Sequence, residues 1–418
     1  MSQKYLMNKK IFSWCLYDFA NSSYSAVIAA TIFPVYYANF IVGNDSGAGD
    51  LWWGRAIAVS MAIVAISSPI LGGIADYSNT RKRMLLCFTL LCIFAVASFS
   101  FLQKGMVIEG FTLMVIANIG MESSIIFYNA FLPIISKQTH QGRVSAWGFG
   151  IGYAGSIFSL IIALIMVKHN MIGYAWSMVA LFFMMFSVPA FLFLPGDEKK
   201  GVPQKSFMKK HPMIYANYGF KETAKHIKMI WSKKDQRRFL LAYLIYEDGV
   251  NTVIVFSSIF AATTLGFMPE ELIYMYLVVQ ATALTGVLTM ARAIDYWGPK
   301  KVVCLSLLIW IAITIAAYFV NNKLYFMLIA SVAGLSLGTI QAATRAFYTQ
   351  FISKGMESEY FGVYNLVGKS SAILGPIVFG AMSSTFGSQR PAVLSVSLFF
   401  VIGYFILRTV DGGKPNVT

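Results

Sequence analysis

Leu16-Tyr17-Asp18-Phe19-Ala20-Asn21-Ser22-Ser23 sets a carboxylate inside a long apolar run. The arrangement recurs far downstream as Tyr246-Glu247-Asp248-Gly249-Val250-Asn251-Thr252. Both stretches read Asp-x-x-Asn, and both follow a basic pair, Lys9-Lys10 or Arg237-Arg238. Asp and Asn three apart share one helix face. At about 1.5 Å per helical residue, each Asp lies roughly 12–15 Å into a membrane from the same side. A charge at that depth costs about 2.5–3.5 kcal/mol or more, so it faces a polar interior and marks a pathway. A buried Asp that hydrogen-bonds two helices together is the other reading of one copy. Two copies at matching places point to function and to a chain built from two similar halves.

The rest of the chain agrees with a membrane. Of its 418 residues 57% are hydrophobic and 12% charged, and the mean hydropathy is +0.65. That balance excludes a soluble globular enzyme. A spanning helix needs about 20 mainly apolar residues. Twelve such runs can be read: 12–41, 52–76, 84–102, 110–135, 144–167, 173–194, 239–265, 272–294, 302–320, 323–345, 361–385 and 391–409. The first is too long for a signal-peptide core and has no small-residue cleavage site, so it is expected to stay as the first span.

The net charge of +15 suggests nucleic acid in a soluble protein, but its placement explains it here. Most Lys and Arg fall on one side. They lie at Lys4, Lys9 and Lys10, after span 2 (Arg81, Lys82, Arg83), after span 4 (Lys137, Arg143) and along the central loop from Lys199 to Arg238. The opposite loops carry only Arg55, Lys104, Lys168, Lys323 and Arg390. Positive loops stay inside, so both termini are expected in the cytoplasm. No nucleic-acid partner is implied. Cys15, Cys87, Cys92 and Cys304 lie in or beside spans without metal-ligand spacing, and the four His lie in loops or at span ends. Neither a metal nor a cofactor is expected.

The expected organisation is a six-helix bundle over 1–194, a basic cytoplasmic linker over 195–238, and a second bundle over 239–418. Weak repeats support it. Gly73-Ile74-Ala75-Asp76 with Arg81-Lys82-Arg83 matches Ala291-Arg292-Ala293-Ile294-Asp295 with Lys300-Lys301. Ile134-Ile135-Ser136-Lys137 matches Phe351-Ile352-Ser353-Lys354. Repeated six-span halves are a transporter architecture, with the solute held near the midplane. In the linker, Phe220, Ala224, Ile227 and Trp231 recur at helical spacing beside Lys221, Lys225 and Lys228. That pattern predicts an amphipathic helix on the membrane surface; a solvated tether is the alternative.

The Gly73-x-x-Asp76-x4-Arg81-Lys82-Arg83 loop resembles the motif between spans 2 and 3 of the major facilitator superfamily, one residue longer than usual. The copy has Ala291 where that motif has Gly. The resemblance implies an all-α membrane protein of twelve spanning helices in two pseudo-symmetric bundles. It implies gating by Asp76, Arg81, Lys82 and Asp295, with Arg345 near the same end of span 10. Asp76 can cap a neighbouring helix or pair with a basic residue, while the basic cluster is expected at anionic headgroups. Further residues resemble the vacuole-effluxer-like family, which includes fungal vacuolar amino-acid exporters. These are Trp14-x-x-Tyr17-Asp18-x-x-Asn21-Ser22 with Phe33-Pro34, Gly152-Tyr153-x-Gly155-Ser156, Tyr246-x-Asp248-Gly249, and Phe361-Gly362-x-Tyr364 with Gly368-Lys369-Ser370-Ser371 and Gly375-Pro376. Span 5 has Gly148, Gly150, Gly152 and Gly155 but no Pro, unlike many drug antiporters of the superfamily. Those glycines are expected to let helices approach closely.

Glu122 in span 4, Lys369 in span 11 and Arg345 in span 10 complete the charged set. Unpaired they are costly, so mutual pairing is expected. Arg292 is expected to reach the membrane interface instead. Together these residues predict secondary transport of a small polar organic solute, an amino acid first by resemblance, driven by protons. Asp18, Glu122 and Asp248 are the expected proton carriers. Tyr17, Asn21, Tyr153, Asn251 and Lys369 are the expected solute contacts. A monomer in a bacterial plasma membrane is expected. Uptake of a cell-wall fragment or another metabolite is an alternative, as is a membrane sensor or scaffold that transports nothing. No nucleophile–base pair or cofactor loop suggests an enzyme.

Overall fold

The computed structural model describes residues 7–43, 48–169, 171–197, 228–372, 374–386 and 388–411. All regular structure among them is helical. In chain order the helices are α1 Lys9–Ser23, α2 Ala48–Ser78, α3 Arg81–Ser98, α4 Val107–Ala130, α5 Gln141–Lys168, α6 Ile172–Phe193 and α7 Lys234–Leu265. There follow α8 Pro269–Trp297, α9 Pro299–Phe319, α10 Lys323–Thr349, α11 Glu357–Ser370, α12 Leu374–Phe386 and α13 Gln389–Arg408. Among the described residues, 10 helices are long and apolar enough to cross a membrane: α2 to α10 and α13. The amphipathic linker segment lies outside the described residues, apart from a turn of helix that includes Trp231.

Two runs expected as single spanning helices are broken. The first is α-helical only to Ser23. Its backbone then widens to i→i−5 bonding over Tyr24–Thr31 and again over Tyr36–Val42, with Ile32–Val35 between. Such widened turns are uncommon and cluster at functional places. The run expected as span 11 stops at Ser370 and restarts at Leu374. Pro376 explains part of the restart. A Pro is tolerated in a first helical turn, where its missing N–H costs nothing.

Helix ends follow local chemistry. Asn8 Oδ1 accepts from Ile11 N–H (2.9 Å), and Asn322 Oδ1 from Leu324 N–H (2.7 Å), so both side chains cap. Gly298, at φ +87°, joins α8 to α9, and Pro299 opens α9. Lys323, the first residue of α10, donates to Glu271 in the first turn of α8 (2.7 Å), and this bond holds the Glu271 carboxyl below its ordinary value.

The chain forms two compact units. One contains Met1–Ser136, Ala154–His226 and Ser353–Leu366; the other contains Lys137–Tyr153, Ile227–Ile352 and Val367–Thr418. Each unit is thus most of one half of the chain plus a short segment from the other. In the first unit α1 packs on α6, α3 on α4 and α2 on α4. Its core is aromatic. Trp14 stacks on Tyr128 at 4.5 Å and donates to the Tyr128 carbonyl (2.8 Å), while Phe33 stacks on Phe99 at 4.1 Å. In the second unit α8 packs on α10, and α7 and α9 on α13. Outward faces are apolar instead of polar. Ile66 is 71% exposed, Phe94 66% and Phe319 69%. Exposed apolar surface on this scale marks contact with something other than water.

Candidate functional site

Asp76 ends the last turns of α2 and is used twice. Its Oδ1 accepts from Arg81 Nη2 (2.7 Å), and its Oδ2 accepts from the backbone N–H of Glu359 (2.9 Å). Arg81 also donates to Glu357 Oε2 (2.9 Å) and from Nε to Ser358 Oγ (2.7 Å). Asp76 therefore both caps the start of α11 and pairs with Arg81. A carboxylate at a helix N-terminus meets orphan N–H groups and the positive end of the dipole. Gly72 makes the approach possible, since a Cβ there would overlap the carbonyl of Ser358. These contacts hold 353–366 within the first unit.

Asp295 repeats the device in the second unit. Its Oδ1 accepts from Arg143 N–H (3.0 Å) at the start of α5, and Arg143 Nε lies 3.4 Å from its Oδ2. Gly142 is again the residue without room for a Cβ, which would meet the Asp295 carboxylate. The two matching loops thus end in the same clasp. In each, an aspartate from one sequence half caps a helix from the other.

Arg345 makes a further contact between α10 and α5. It is buried on α10 and holds α5: Nε donates to Ser145 Oγ (2.8 Å), Nη2 to the Ser145 carbonyl (2.8 Å), and the guanidinium lies 4.0 Å over Phe149. Lys82 has partners within the protein. Its backbone N–H donates to Asp197 (2.9 Å) and its Nζ to the Leu194 carbonyl (2.7 Å), so it ties the start of α3 to the end of α6. A cation at helix-terminal carbonyls is favourable for the same reason as the aspartate cap, with the sign reversed. Arg292 is exposed.

The two Asp-x-x-Asn stretches, so alike in sequence, are used differently. Asp18 and Asn21 are buried and face each other along α1, with Asn21 Nδ2 3.4 Å from Asp18 Oδ1. Asp248 reaches another helix instead. Its Oδ1 accepts from Gly375 N–H (2.9 Å), so it caps α12 after the break. Asn251 donates to Ser371 Oγ (3.2 Å) inside the break. A Cβ on Gly375 would overlap both Asp248 and Thr252. A carboxylate aimed at a half-helix in the middle of a span matches the way discontinuous helices build polar sites in transporters.

The other expected contacts fall in three settings. Tyr17 is wholly buried, stacked on Tyr128 at 5.2 Å, with its hydroxyl bonded to Thr89 (2.6 Å). Tyr153 donates to Gln341 Oε1 (2.7 Å), joining α5 to α10. Glu122 and Lys369 are both half-buried; Glu122 lies near Tyr24 and Cys92, and Lys369 near Glu247. Glu247 is the residue that sequence reading passed over. It stands beside Asp248 in the repeated stretch, but Tyr17 holds the matching place beside Asp18, and the comparison hid it.

A family model described as "Vacuole effluxer Atg22 like" matches residues 55–417. The chain is 30% identical over 411 residues to the uncharacterized MFS-type transporter YxiO of Bacillus subtilis, covering 95% of this chain and 94% of that one. It is 22% identical over 449 residues to autophagy-related protein 22-1 of Penicillium rubens, covering 86% and 75%. Among solved structures, the human organic anion transporter MFSD10 superposes with a TM-score of 0.78 at 14% identity, covering 96% of this chain and 99% of that one. The E. coli fucose:proton symporter FucP superposes at 0.71 with 14% identity, covering 95% and 97%. YxiO, MFSD10 and FucP are transporters, not enzymes, and the likeness to the solved structures gives the major facilitator fold.

Proposed function

Because the chain belongs to the vacuole effluxer Atg22-like family, we propose that it is a multi-pass secondary transporter of a small polar organic solute, with an amino acid as the first candidate, driven by protons. The observation that carries this reading is the repeated clasp. Asp76 at the start of α11 and Asp295 at the start of α5 are polar, releasable contacts placed at matching loops of both halves. A carrier that alternates access needs gates it can break at modest cost; a scaffold does not. In this reading the broken runs at 9–42 and 357–386 complete twelve spans, divided at the 195–238 linker into bundles over 1–194 and 239–418. The chain works as a monomer in a bacterial plasma membrane. Asp18, Glu122 and Asp248 carry protons, and Asn21, Tyr153, Asn251 and Lys369 supply polar contacts. Tyr17 is left to packing by its complete burial. The fucose:proton symporter FucP, a proton-coupled carrier, shares the fold.

A stability screen of the purified chain against the neutral, acidic and basic amino acids tests the solute. A ligand that binds only the folded state raises the melting temperature with its concentration. No shift from any amino acid removes them as candidates and turns the search to other polar metabolites.

Orientation has its own expected result. A single Cys at Ser46 is modified by an impermeant reagent from outside, and one at Gln204 is spared; both positions lie outside the described residues. The Lys and Arg asymmetry motivates the expectation. The reverse labelling pattern inverts the proposed topology.

The clasp gives a second result. Asp76→Asn keeps an acceptor for Glu359 N–H but loses the ion pair with Arg81. Charge-assisted bonds are about twice as strong as neutral ones, so conformational exchange changes while solute affinity stays within a few-fold. Rates come from exchange in vesicles and affinity from the melting shift. Complete loss of binding in a folded variant contradicts a gating role.

A further inference from the structure

The broken span of the second unit holds a carboxylate to which neither the clasps nor the Asp-x-x-Asn pattern gives a role. Glu247 sits near the middle of the spanning stretch Lys234–Ser257. Tyr243, Glu247 and Asn251 share one face of α7, and that face meets the end of α11. A Cβ on Gly368 would meet the Tyr243 hydroxyl, and Asn251 donates to Ser371 Oγ (3.2 Å). Lys369 stands between those two contacts, in the last turn of α11, and interacts electrostatically with Glu247. A cation at that place is also favoured by the negative end of the helix dipole.

The polar groups around the break are bonded to one another. Asp248 is buried and accepts from Gly375 N–H (2.9 Å), and Ser371 donates to the Gly368 carbonyl (2.7 Å). Glu247 differs. It is half-buried, and its carboxylate is neither sealed from access nor hydrogen-bonded among the described residues. An ionised carboxylate in the middle of a span is costly unless opposite charge and hydrogen-bond donors reach it. Lys369 supplies charge, and a ligand can supply the donors. A primary ammonium donates three hydrogen bonds and accepts none, whereas an ionised carboxylate only accepts.

We propose that Glu247 receives the ammonium group of the transported solute, while Lys369 beside it takes the solute's carboxylate. This rests on the reading of the chain as an amino-acid transporter and adds the residue that tells an amino acid from an acid without the amine. The division of labour follows from charge. Asp248 holds the half-helix α12 in place, and Glu247, next to it in sequence but on the face toward α11, holds the solute.

The test measures melting shifts of the full chain in lipid nanodiscs with paired probes: alanine and lactate, phenylalanine and phenyllactate, aspartate and malate. Each 2-hydroxy acid keeps the carboxylate and side chain and carries a hydroxyl in place of the ammonium. The parent is expected to bind at least one amino acid about tenfold or more tighter than its hydroxy acid, the scale of one charge-assisted hydrogen bond. Glu247→Gln is expected to cut that preference to about threefold or less while the hydroxy acid changes by less than about twofold, because only the charged bond is lost. Lys369→Gln is expected to weaken both members of a pair alike, since both carry the carboxylate. Glu247→Asp keeps the charge one methylene shorter; it is expected to retain part of the preference, and it serves if the Gln variant does not fold. A folded Glu247 variant of either kind that keeps the parent's full preference overturns the proposal. A parent that binds an amino acid and its hydroxy acid equally well overturns it too, and leaves amino-acid transport standing. A folded parent that binds no probe of either kind overturns the amino-acid reading, and this proposal with it.

Discussion

Asp248→Asn is expected to abolish proton-driven accumulation of solute while leaving the protein folded. Asn keeps the shape and an oxygen that accepts from Gly375 N–H, so α12 stays capped. It loses the negative charge and the ability to take up a proton. Asp18→Asn makes the same chemical change where the partner is Asn21 instead of a helix end. At least one of the two variants is expected to retain binding or downhill exchange, because a proton carrier is needed to couple, not to hold solute. Glu122→Gln is the control, since it is the remaining candidate carrier. Asp248→Ala separates coupling from capping. It leaves the Gly375 N–H unmade inside the unit, at a cost of about 1–3 kcal/mol, so its melting temperature falls while that of Asp248→Asn does not. If both Asn variants accumulate solute like the parent, the two aspartates are structural groups and proton carriage lies elsewhere.

Gly338→Leu is expected to yield no monodisperse protein. Gly334 and Gly338 on α10 and Gly286 on α8 form a seam in which the backbones touch. A Cβ at Gly338 would overlap the carbonyl of Ala283, one at Gly334 would meet Thr282 and the carbonyl of Val279, and one at Gly286 would overlap the backbone of Leu335. Small residues four apart allow this approach between membrane helices, where packing replaces the hydrophobic drive. Overpacking a core with extra methylenes costs about 1–3 kcal/mol when side chains can move; here the obstacle is backbone, so the helices must separate. Gly173→Leu is the matched control, because nothing lies within 4 Å of a Cβ there. It is expected to elute and melt like the parent. Normal folding of Gly338→Leu contradicts the packing of α8 on α10.

Most of the helix pattern was legible because apolar length is a direct requirement of the bilayer. The two exceptions have local causes that composition hides. The first run is apolar throughout, and nothing in Tyr24–Thr31 marks the widened turns. The second exception was partly written in the chain, since Gly375-Pro376 carries the signature of a helix start, yet the long apolar run around it masks the end of α11 at Ser370. Pairings were legible only where the sequence repeats itself. Asp76 and Asp295 stood out as a matched pair, and both cap helices. Their partners, Glu359 and Arg143, lie in the opposite half, and no spacing rule reaches that far. The same holds for Arg345, whose partners Ser145 and Phe149 are some two hundred positions away. Equal sequence did not mean equal use, as Asn21 and Asn251 illustrate. One turns to its own aspartate, the other to Ser371. The Gly334-x3-Gly338 spacing is present in the sequence, but spacing alone does not say that its partners are Val279, Thr282 and Ala283 on α8.

Solute flux across a membrane tests the central claim most directly. The purified chain is reconstituted into proteoliposomes, a pH gradient is imposed, and uptake of labelled amino acids is followed against protein-free vesicles and against Asp18→Asn and Asp248→Asn. The account predicts transient accumulation of at least one amino acid above its outside concentration. That accumulation collapses with a protonophore and disappears in at least one Asp→Asn variant. Accumulation that is unchanged by the protonophore and by both variants would contradict proton coupling. The absence of any protein-dependent flux, from protein that still melts cooperatively and still binds an amino acid, would contradict transport itself.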